Sequence, residues 1–568
     1  MSKALYIYNR NHTFNKNTEY KLLKICQKLT PDNIAAPSKH KTYIKGKTAY
    51  AVTLTNSAFH ESDLSIFLGC LYEKPGYNWY TPGANYPDGN YAIFRCSDKE
   101  IEAVSDKAGS RTIWYYFNDE IFLTSTSQRA IILFIGSFVF DKRVIPWIIS
   151  TGSLGPELSW DKRIKKLHPD SSVSLNKKTW ELTIKSNPIV FSVEKRRKRQ
   201  HKELLIESIS QTFKHFDNLD LNQWILPLSG GYDSRAILCF IKNRTGFPQK
   251  FKTVTWGLEA SPNEERNDAK IAKDLAEMMG VQHNYYHTDI SNEPIKVIIN
   301  RFLANSEGRV DHIAGYMDGM KIWQKFHAKK IVGIIRGDEG FGWSKVSSEI
   351  AVRLSLGCAL CSDYENIKNI FETFQIPSQR LPKHFKRSKK ESLSAWRDRL
   401  YHIYRIPNIL AALSDIKFSY IEQINPLLSS SILKVVRTLP DHLRTEKYLF
   451  KKIVAEIGPE IPFAIKGANA NPKNILRTKP FIDLLKAEID SDNAKQFLGP
   501  EFVSFILKGI KTETPVILKS RNKNMKKLIG YIIPQHLKTW YRHKTLRPKL
   551  DGVIFRNVLN QIPPNFSH

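Results

Sequence analysis

The chain is poor in several things. Six cysteines in 568 residues are too few for a disulfide framework. Cys358-Ala359-Leu360-Cys361 is a lone CxxC. A structural zinc site needs a second pair, so reduced, buried thiols are expected. Apolar runs such as Ala130 to Phe140 are too short to span a bilayer. Met1 to Arg10 has no long apolar core of the kind a signal peptide carries. A cytoplasmic location without a transmembrane segment is the expectation. A Walker loop is missing: in the nearest fragment, Gly46-Lys47-Thr48, Lys41 stands where the leading glycine belongs. No internal repeat or low-complexity tract is evident. Acidic residues are scarce, 55 against 86 basic, and leave a formal charge of +31. Such a surface attracts anions such as nucleic acid, acidic glycan or anionic membrane; it also fits a simple solvated surface.

What remains is ordinary for a soluble globular protein, with 42% hydrophobic and 25% charged residues. The length suits two or more domains. One stretch stands out: Trp224-Ile225-Leu226-Pro227-Leu228-Ser229-Gly230-Gly231-Tyr232-Asp233-Ser234-Arg235, with an apolar helical segment, Ala236 to Ile241, behind it. It reads as strand, glycine turn and helix N-terminus. Glycines admit a close ligand, free N–H groups point outward, and the helix dipole favours negative charge. Ser229 and Ser234 add hydroxyl donors, and Arg235 can neutralise phosphate. Asp233 has the wrong sign for direct phosphate contact, which points to a bridging Mg²⁺.

A second strand with the same ending follows. Ile331 to Ile335 is apolar and leads into Arg336-Gly337-Asp338-Glu339-Gly340-Phe341-Gly342-Trp343. Two acids at the carboxyl ends of strands, about a hundred residues apart, fit one site at the top of a parallel sheet. Between them lie a strand, Lys252 to Gly257, and a helix, Asn267 to Met279, with apolar residues at helical spacing. Residues 1 to about 190 read as β-rich, with strand-like runs at Leu5–Tyr8, Tyr50–Leu54, Tyr91–Phe94 and Glu120–Leu123. Lys195 to Arg199 is a basic run at the junction, and the chain beyond residue 345 reads as largely helical. A further basic cluster with Trp540 and Tyr541 interleaved lies in the tail. It suits an anionic surface or a solvated helix.

The Ser229–Ser234 motif resembles the pyrophosphate (PP) loop of the ATP pyrophosphatases. The order Asp88-Gly89-Asn90-Tyr91-Ala92-Ile93-Phe94, then Asp106-Lys107-Ala108-Gly109-Ser110-Arg111 before Tyr115-Tyr116, resembles the glutaminase domain of class II amidotransferases. Together they resemble the asparagine synthetases, across roughly residues 1 to 475. The resemblance implies an α/β fold overall. An Ntn-like αββα sandwich over 1–190 is followed by a basic linker at 191–205. A PP-loop, parallel-sheet synthetase domain covers 206–475, and a basic helical extension covers 476–568. It implies that Ser229, Gly230, Gly231 and Ser234 hold pyrophosphate with Arg235 nearby, and that Leu228, Thr255 and Trp256 line adenine. Asp233 and Asp338 would hold Mg²⁺. Arg336, Gly337 and Glu339 form the second loop, and Lys466 stabilises the adenylation transition state.

The front half departs from the family. A working glutaminase has cysteine directly after the initiator methionine; Ser2 stands there, Cys26, Cys70 and Cys96 are internal, and the Asn-Gly-Glu motif is absent. A degenerate glutaminase domain is expected. The implied activity is an AMP-forming carbon–nitrogen ligase using ATP and Mg²⁺. It adenylates a small-molecule, glycan or peptide carboxylate and passes it to ammonia, from a separate glutaminase or free, or to an amine. Amine-using cyclases and uronic-acid amidation lie within the same resemblance, and a homodimer is possible. A tRNA-modifying PP-loop enzyme and a non-catalytic binding protein remain the other classes, with nucleic acid the less favoured partner.

Overall fold

The computed structural model describes residues 3–35, 39–74, 76–364, 367, 370–469 and 478–510. Ser2, with its expected nucleophile position, and the basic tail around Trp540 lie outside them. The front half holds two six-stranded antiparallel sheets. One runs Lys165–Lys166, Trp114–Phe117, Ile121–Ser125, Ala4–Asn9, Thr48–Val52, Lys41–Lys45. The other runs Glu181–Ser186, Ser171–Asn176, Glu100–Ser105, Gly89–Cys96, Ser65–Leu71, Phe59–Ser62. Strand periodicity sorts their side chains. Tyr6, Val52, Phe94, Ala103 and Val173 meet between the sheets. Leu5, Ile7, Ala49 and Leu123 point outward, beneath the helices Lys16–Leu29 and Gln128–Ile135. The outer face of the second sheet packs Phe67, Tyr91, Ile93 and Val104 under Leu71, Trp79 and Tyr86.

The back half is built on five parallel strands in the order Gln282–His287, Lys252–Gly257, Trp224–Pro227, Gly333–Ile335, Glu422–Ile424. Chain order reverses between Trp224–Pro227 and Gly333–Ile335, and ligands of such sheets bind at that switch point. Both faces are covered, as parallel sheets require. Leu226 and Ile335 pack on one face with the helices Lys198–Lys214, Tyr232–Thr245, Asp268–Met279 and Tyr448–Ile457. Ile225 and Ile334, one residue away on each strand, pack on the other with Ile295–Ser306, Lys321–Ala328 and Ala411–Phe418. The basic run at the junction is exposed, irregular chain up to Arg197. Ser192 and Glu194 donate their N–H groups to the Arg437 and Thr438 carbonyls at 3.1 and 3.0 Å, and the helix begins at Lys198. Among the described residues, no helix is long and apolar enough to cross a membrane. The helices Lys479–Ile489 and Pro500–Gly509 pack through Ile482, Leu485, Phe502 and Ile506 against Ile145 and Ile149 of the front half.

The halves are joined by buried charge. Asp106 organises the turn recognised in the sequence: its carboxylate accepts from the N–H groups of Ala108 and Ser110 at 2.9 and 3.0 Å and from the Ser110 hydroxyl at 2.7 Å. That turn sends Arg111 into the back half. There it pairs with Glu422, on the last parallel strand, and lies 3.9 Å over the Phe418 ring. Both partners are 2% exposed or less. Burial would raise the Glu422 carboxyl, but the Arg111 guanidinium, together with the Gln423 N–H and other positive charge, holds it below its ordinary range. Removing one partner of such a pair strands the other charge. Arg111→Met is therefore expected to cost about 3–5 kcal/mol, read as a lower denaturant midpoint for the whole chain.

Candidate active site

Leu228 to Gly231 connect the central strand to the helix Tyr232–Thr245. Gly231 is the N-cap residue, and no side chain caps this helix. Its first-turn N–H groups and positive dipole end are thus free to meet an anion. The loop is held by its own serines. Ser234 Oγ accepts from the Ser229 N–H at 3.0 Å and lies 3.1 Å from Ser229 Oγ, which accepts from the Gly231 N–H at 3.3 Å. Gly230 donates to Asp268 Oδ1 at 3.0 Å and accepts from the Ala464 N–H at 3.0 Å. A Cβ on Gly230 would lie 2.5 Å from the Ala464 Cβ, so only glycine fits.

The second loop comes equally close. Arg336 donates its N–H to the Ile424 carbonyl at 2.8 Å, continuing the strand pairing. At Gly337 a Cβ would meet Asp233 Cβ at 2.8 Å and the Asp233 backbone carbon at 3.1 Å. The two loops touch through that missing side chain. Between them and the neighbouring strand opens a cavity of about 280 Å³. Leu228, Ser229, Asp233, Ser234, Thr255, Trp256, Arg336, Gly337 and Asp338 line it, as does Asp268. The Thr255 hydroxyl donates to the Leu228 carbonyl, and Trp256 meets Trp323 edge-on at 5.3 Å. Arg336 Nε lies 3.3 Å from Asp338 Oδ1.

Two expected residues stand elsewhere, and a third keeps its expected loop without facing the cavity. Arg235 turns away from the loop. Its guanidinium donates to the Ile461 and Pro462 carbonyls at 2.8 and 3.0 Å and stacks 4.0 Å over Phe463. It is 1% exposed and fastens the segment before Ala464 rather than facing the cavity. Lys466 pairs by its backbone with Asn267 and Asp268, which points its amine 3.9 Å from Glu264 with the side chain 58% exposed. Glu339 is buried, with its carboxylate fixed inside its own loop by the Phe341 N–H.

Lys447, more than two hundred residues from the glycine loop, was not singled out in the sequence. Its amine lies 2.9 and 3.1 Å from the two Asp233 oxygens and 2.8 Å from Glu339 Oε1. Glu446 and Lys447 both take left-handed φ, +60° and +59°, a cost of about 1–3 kcal/mol each for such residues. Burial raises the Asp233 carboxyl, Lys447 opposes it, and the like charge of Asp338 adds to it. Burial also raises Glu339, again against Lys447. Burial alone would lower the Lys447 amine, but the two carboxylates hold it raised. The only sequence signal for it is a lysine in the polar segment Arg444-Thr445-Glu446-Lys447; its partners are visible only in three dimensions. Asp268 was read as a helix position, and its acceptance from Gly230 was not expected.

Cys26 and Cys70 of the front half offer little nucleophilic character. Burial pushes the Cys26 and Cys70 thiols up to about 12, far from a thiolate near neutrality. Burial likewise pushes Cys358 up to about 12 and raises Cys361.

Gly337→Ala is expected to lower stability by about 1–3 kcal/mol, the usual cost of overpacking, measured as a urea midpoint. Gly467→Ala, where a Cβ meets nothing within 4 Å, should leave the midpoint unchanged. The second loop also carries a pH signature. His402 is buried; its Nε2–H donates to the Gly340 carbonyl at 2.9 Å, and burial pushes its pKa down to about 3. The unfolded imidazole, near 6.5, binds a proton that the folded one refuses. Stability is thus complete above about pH 6.5 and lost as pH falls from there toward about 3, by about 1.4 kcal/mol per unit. His402→Gln should flatten this part of a pH–stability curve.

No curated protein matches the chain. Several solved structures are similar to it at low scores. Glutamine phosphoribosylpyrophosphate amidotransferase from B. subtilis, complexed with ADP and GMP, aligns at 11% identity and TM-score 0.20, over 50% of this chain and 65% of its own. This chain thus spans just under two thirds of that protein. An allosteric regulatory enzyme of purine biosynthesis aligns at 10% identity and TM-score 0.21, over 51% and 82%. The U34-tRNA thiolase NcsA from Methanococcus maripaludis, with its 4Fe–4S cluster, aligns at 12% identity and TM-score 0.20, over 58% and 91%. One family model matches: residues 226–299, from the central strand through the glycine loop to the helix beyond the third strand, match asparagine synthase.

Proposed function

We propose that the chain is an ATP-dependent ligase that adenylates a carboxylate and transfers ammonia or an amine to it. The observation that carries this reading is one cavity at the switch point of a parallel sheet. It brings together an uncapped helix N-terminus, Ser229, Ser234 and two carboxylates from different strand ends. The match of residues 226–299 to the asparagine synthase family agrees with it. The carboxylate oxygen of the substrate attacks the α-phosphorus of ATP and pyrophosphate departs. The nitrogen nucleophile then attacks the acyl carbon, AMP departs, and the nitrogen releases a proton.

The roles follow from chemistry and position. Leu228, Thr255 and Trp256 form the wall for the base. Ser229, Ser234 and the N–H groups at Gly230 and Gly231 receive the pyrophosphate, trading internal hydrogen bonds for bonds to phosphate oxygens. The donor set fits Mg²⁺: Asp233 and Asp338 offer oxygen alone, and burial together with the like charge of Asp338 raises the proton affinity of Asp233. They would hold the ion, which supplies charge neutralisation for the departing pyrophosphate. Arg336 adds positive charge at the cavity wall. Lys447 is a positioning residue that holds Asp233 and Glu339 in place. Lys466 fixes the loop by its backbone. A second, smaller cavity shares Trp256 and Asn469 and is lined by Asp289 and Asp318. Two carboxylates there repel an acid and welcome an amine, so the nitrogen donor is assigned to that side.

Pyrophosphate release from ATP, with Mg²⁺ and ammonium, is the test. The panel contains small carboxylates, uronic acids, peptides and bulk tRNA. Release that depends on one carboxylate class and falls at least about 100-fold in Asp233→Ala is expected. Release dependent on tRNA alone would replace the reading with base modification. Absence of both ATP binding and release would overturn it.

A further inference from the structure

Outside the cavity lining, three side chains converge where the halves meet. Glu157 and His168 belong to the front half, His384 to the back half. One donor atom of each lies within 4.8 Å of the other two. His168 Nε2 and His384 Nε2 both stand 3.2 Å from the same oxygen, Glu157 Oε1. The two rings are nearly perpendicular, at 82° with centroids 5.4 Å apart, so they present nitrogens rather than stacked faces.

The spacing is informative. A charge-assisted N–H···O bond settles at about 2.7–2.9 Å, shorter than either contact. A tetrahedral Zn²⁺ with bonds of about 2.0–2.2 Å separates its donors by about 3.3–3.5 Å, close to the spacing found. The scaffold around the three groups is rigid. His168 follows Leu167, which is buried and donates to the Ile113 carbonyl at 2.9 Å. His384 sits in the turn Lys383–Phe385. That turn is held by the buried Phe385, whose carbonyl accepts from Trp396 Nε1 at 2.8 Å, and by Arg399, which donates to the His384 carbonyl. The Arg399 charge is itself paired with Glu391 at 2.7 Å. Glu157 takes φ +62°, a conformation rare for residues other than glycine, and turns its carboxylate to both imidazoles. Strain of this kind is held where surrounding structure demands it.

We propose that Glu157, His168 and His384 form a binding site for a divalent transition cation, Zn²⁺ by preference, that clamps the front half to the back half. Two imidazoles and one carboxylate are a zinc donor set with the fourth position open to water. The imidazoles disfavour Mg²⁺ and Ca²⁺, which take oxygen ligands. The site involves no electron transfer and does not depend on the ligase reading.

The test uses Co²⁺ and Zn²⁺ as probes on the full chain. Wild type is expected to bind one equivalent of Co²⁺ with the intense visible bands of a low-coordinate site and no thiolate charge-transfer band. Zn²⁺ should displace it and raise Tm. His384→Ala and His168→Ala should each weaken binding by more than about 100-fold, beyond the 10–100-fold typical of losing an outer-shell partner. All three groups are partly exposed, and equal urea midpoints of metal-free wild type and variants will show that folding is intact. Metal binding unchanged in His384→Ala, a cobalt spectrum with thiolate bands, or no zinc binding at micromolar concentration would each overturn the proposal and leave a hydrogen-bonded triad.

Discussion

A single half-buried lysine amine lies between two carboxylates, and the geometry of the site depends on it. Lys447 bridges Asp233 on the glycine loop and Glu339 on the second loop. The loops are already in backbone contact at Gly337. Without a cation, that closeness would press Asp233, Glu339 and Asp338 into one poorly solvated corner, and like charges there would force protons on or the loops apart. With it, Asp233 can face the cavity as a carboxylate while Glu339 stays behind it. The left-handed pair Glu446–Lys447 gives the lysine its place, and the Glu446 N–H is held by the Trp343 carbonyl at 2.8 Å. The glycine contact, the lysine and the strained turn form one coupled arrangement.

The cavity walls were legible in the sequence because their signals are local. A strand ending in Ser-Gly-Gly-x-Asp-Ser carries its geometry within a few residues. The same holds for Arg336-Gly337-Asp338, and the positions at the end of the neighbouring strand follow from sheet order. The strands at Leu5, Tyr50, Tyr91 and Glu120 and the helix after Asn267 were legible from period and composition. Others were not. Ser171–Asn176 and Glu181–Ser186 are polar by composition and become strands because their neighbours in the sheet accept them. Three side-chain directions were beyond reach. Arg235 follows the loop, yet helix phase carries it to the Ile461 and Pro462 carbonyls. Lys466 sits beside the loop, yet its backbone pairing aims it outward. Lys447 reaches the site across a sequence distance that no local pattern spans.

The two halves meet through buried polar contacts as well as the apolar packing of Ile145 and Ile149 against Ile482 and Phe502. Besides Arg111–Glu422, Lys3 pairs with Glu307 at 3.1 Å, Arg309 donates to the Thr112 hydroxyl at 2.7 Å, and Asp88 accepts from the Ser429 hydroxyl at 2.7 Å. Asn90 accepts from the Asn425 N–H at 2.6 Å. Buried pairs of this sort add less net stability than apolar packing would, but they tolerate little displacement. They set the register of one half on the other, and that register reaches the cavity. Gln423, next to Glu422, lies 3.4 Å from Asp338 Oδ2, and Asn425 opens the turn after the same strand.

The Asp106–Arg111 turn therefore has two addresses. By chain position it belongs to the antiparallel sandwich; by contact it is an outlying part of the parallel sheet. A recombinant back half cut at the junction would carry Glu422 as a bare buried charge and lose the acceptors for Asn425 and Ser429. A substitution scan should accordingly divide along the contacts, with Asp106, Gly109 and Arg111 behaving like back-half positions. Any chimera that exchanges front halves would have to carry this hexapeptide turn across with its partners.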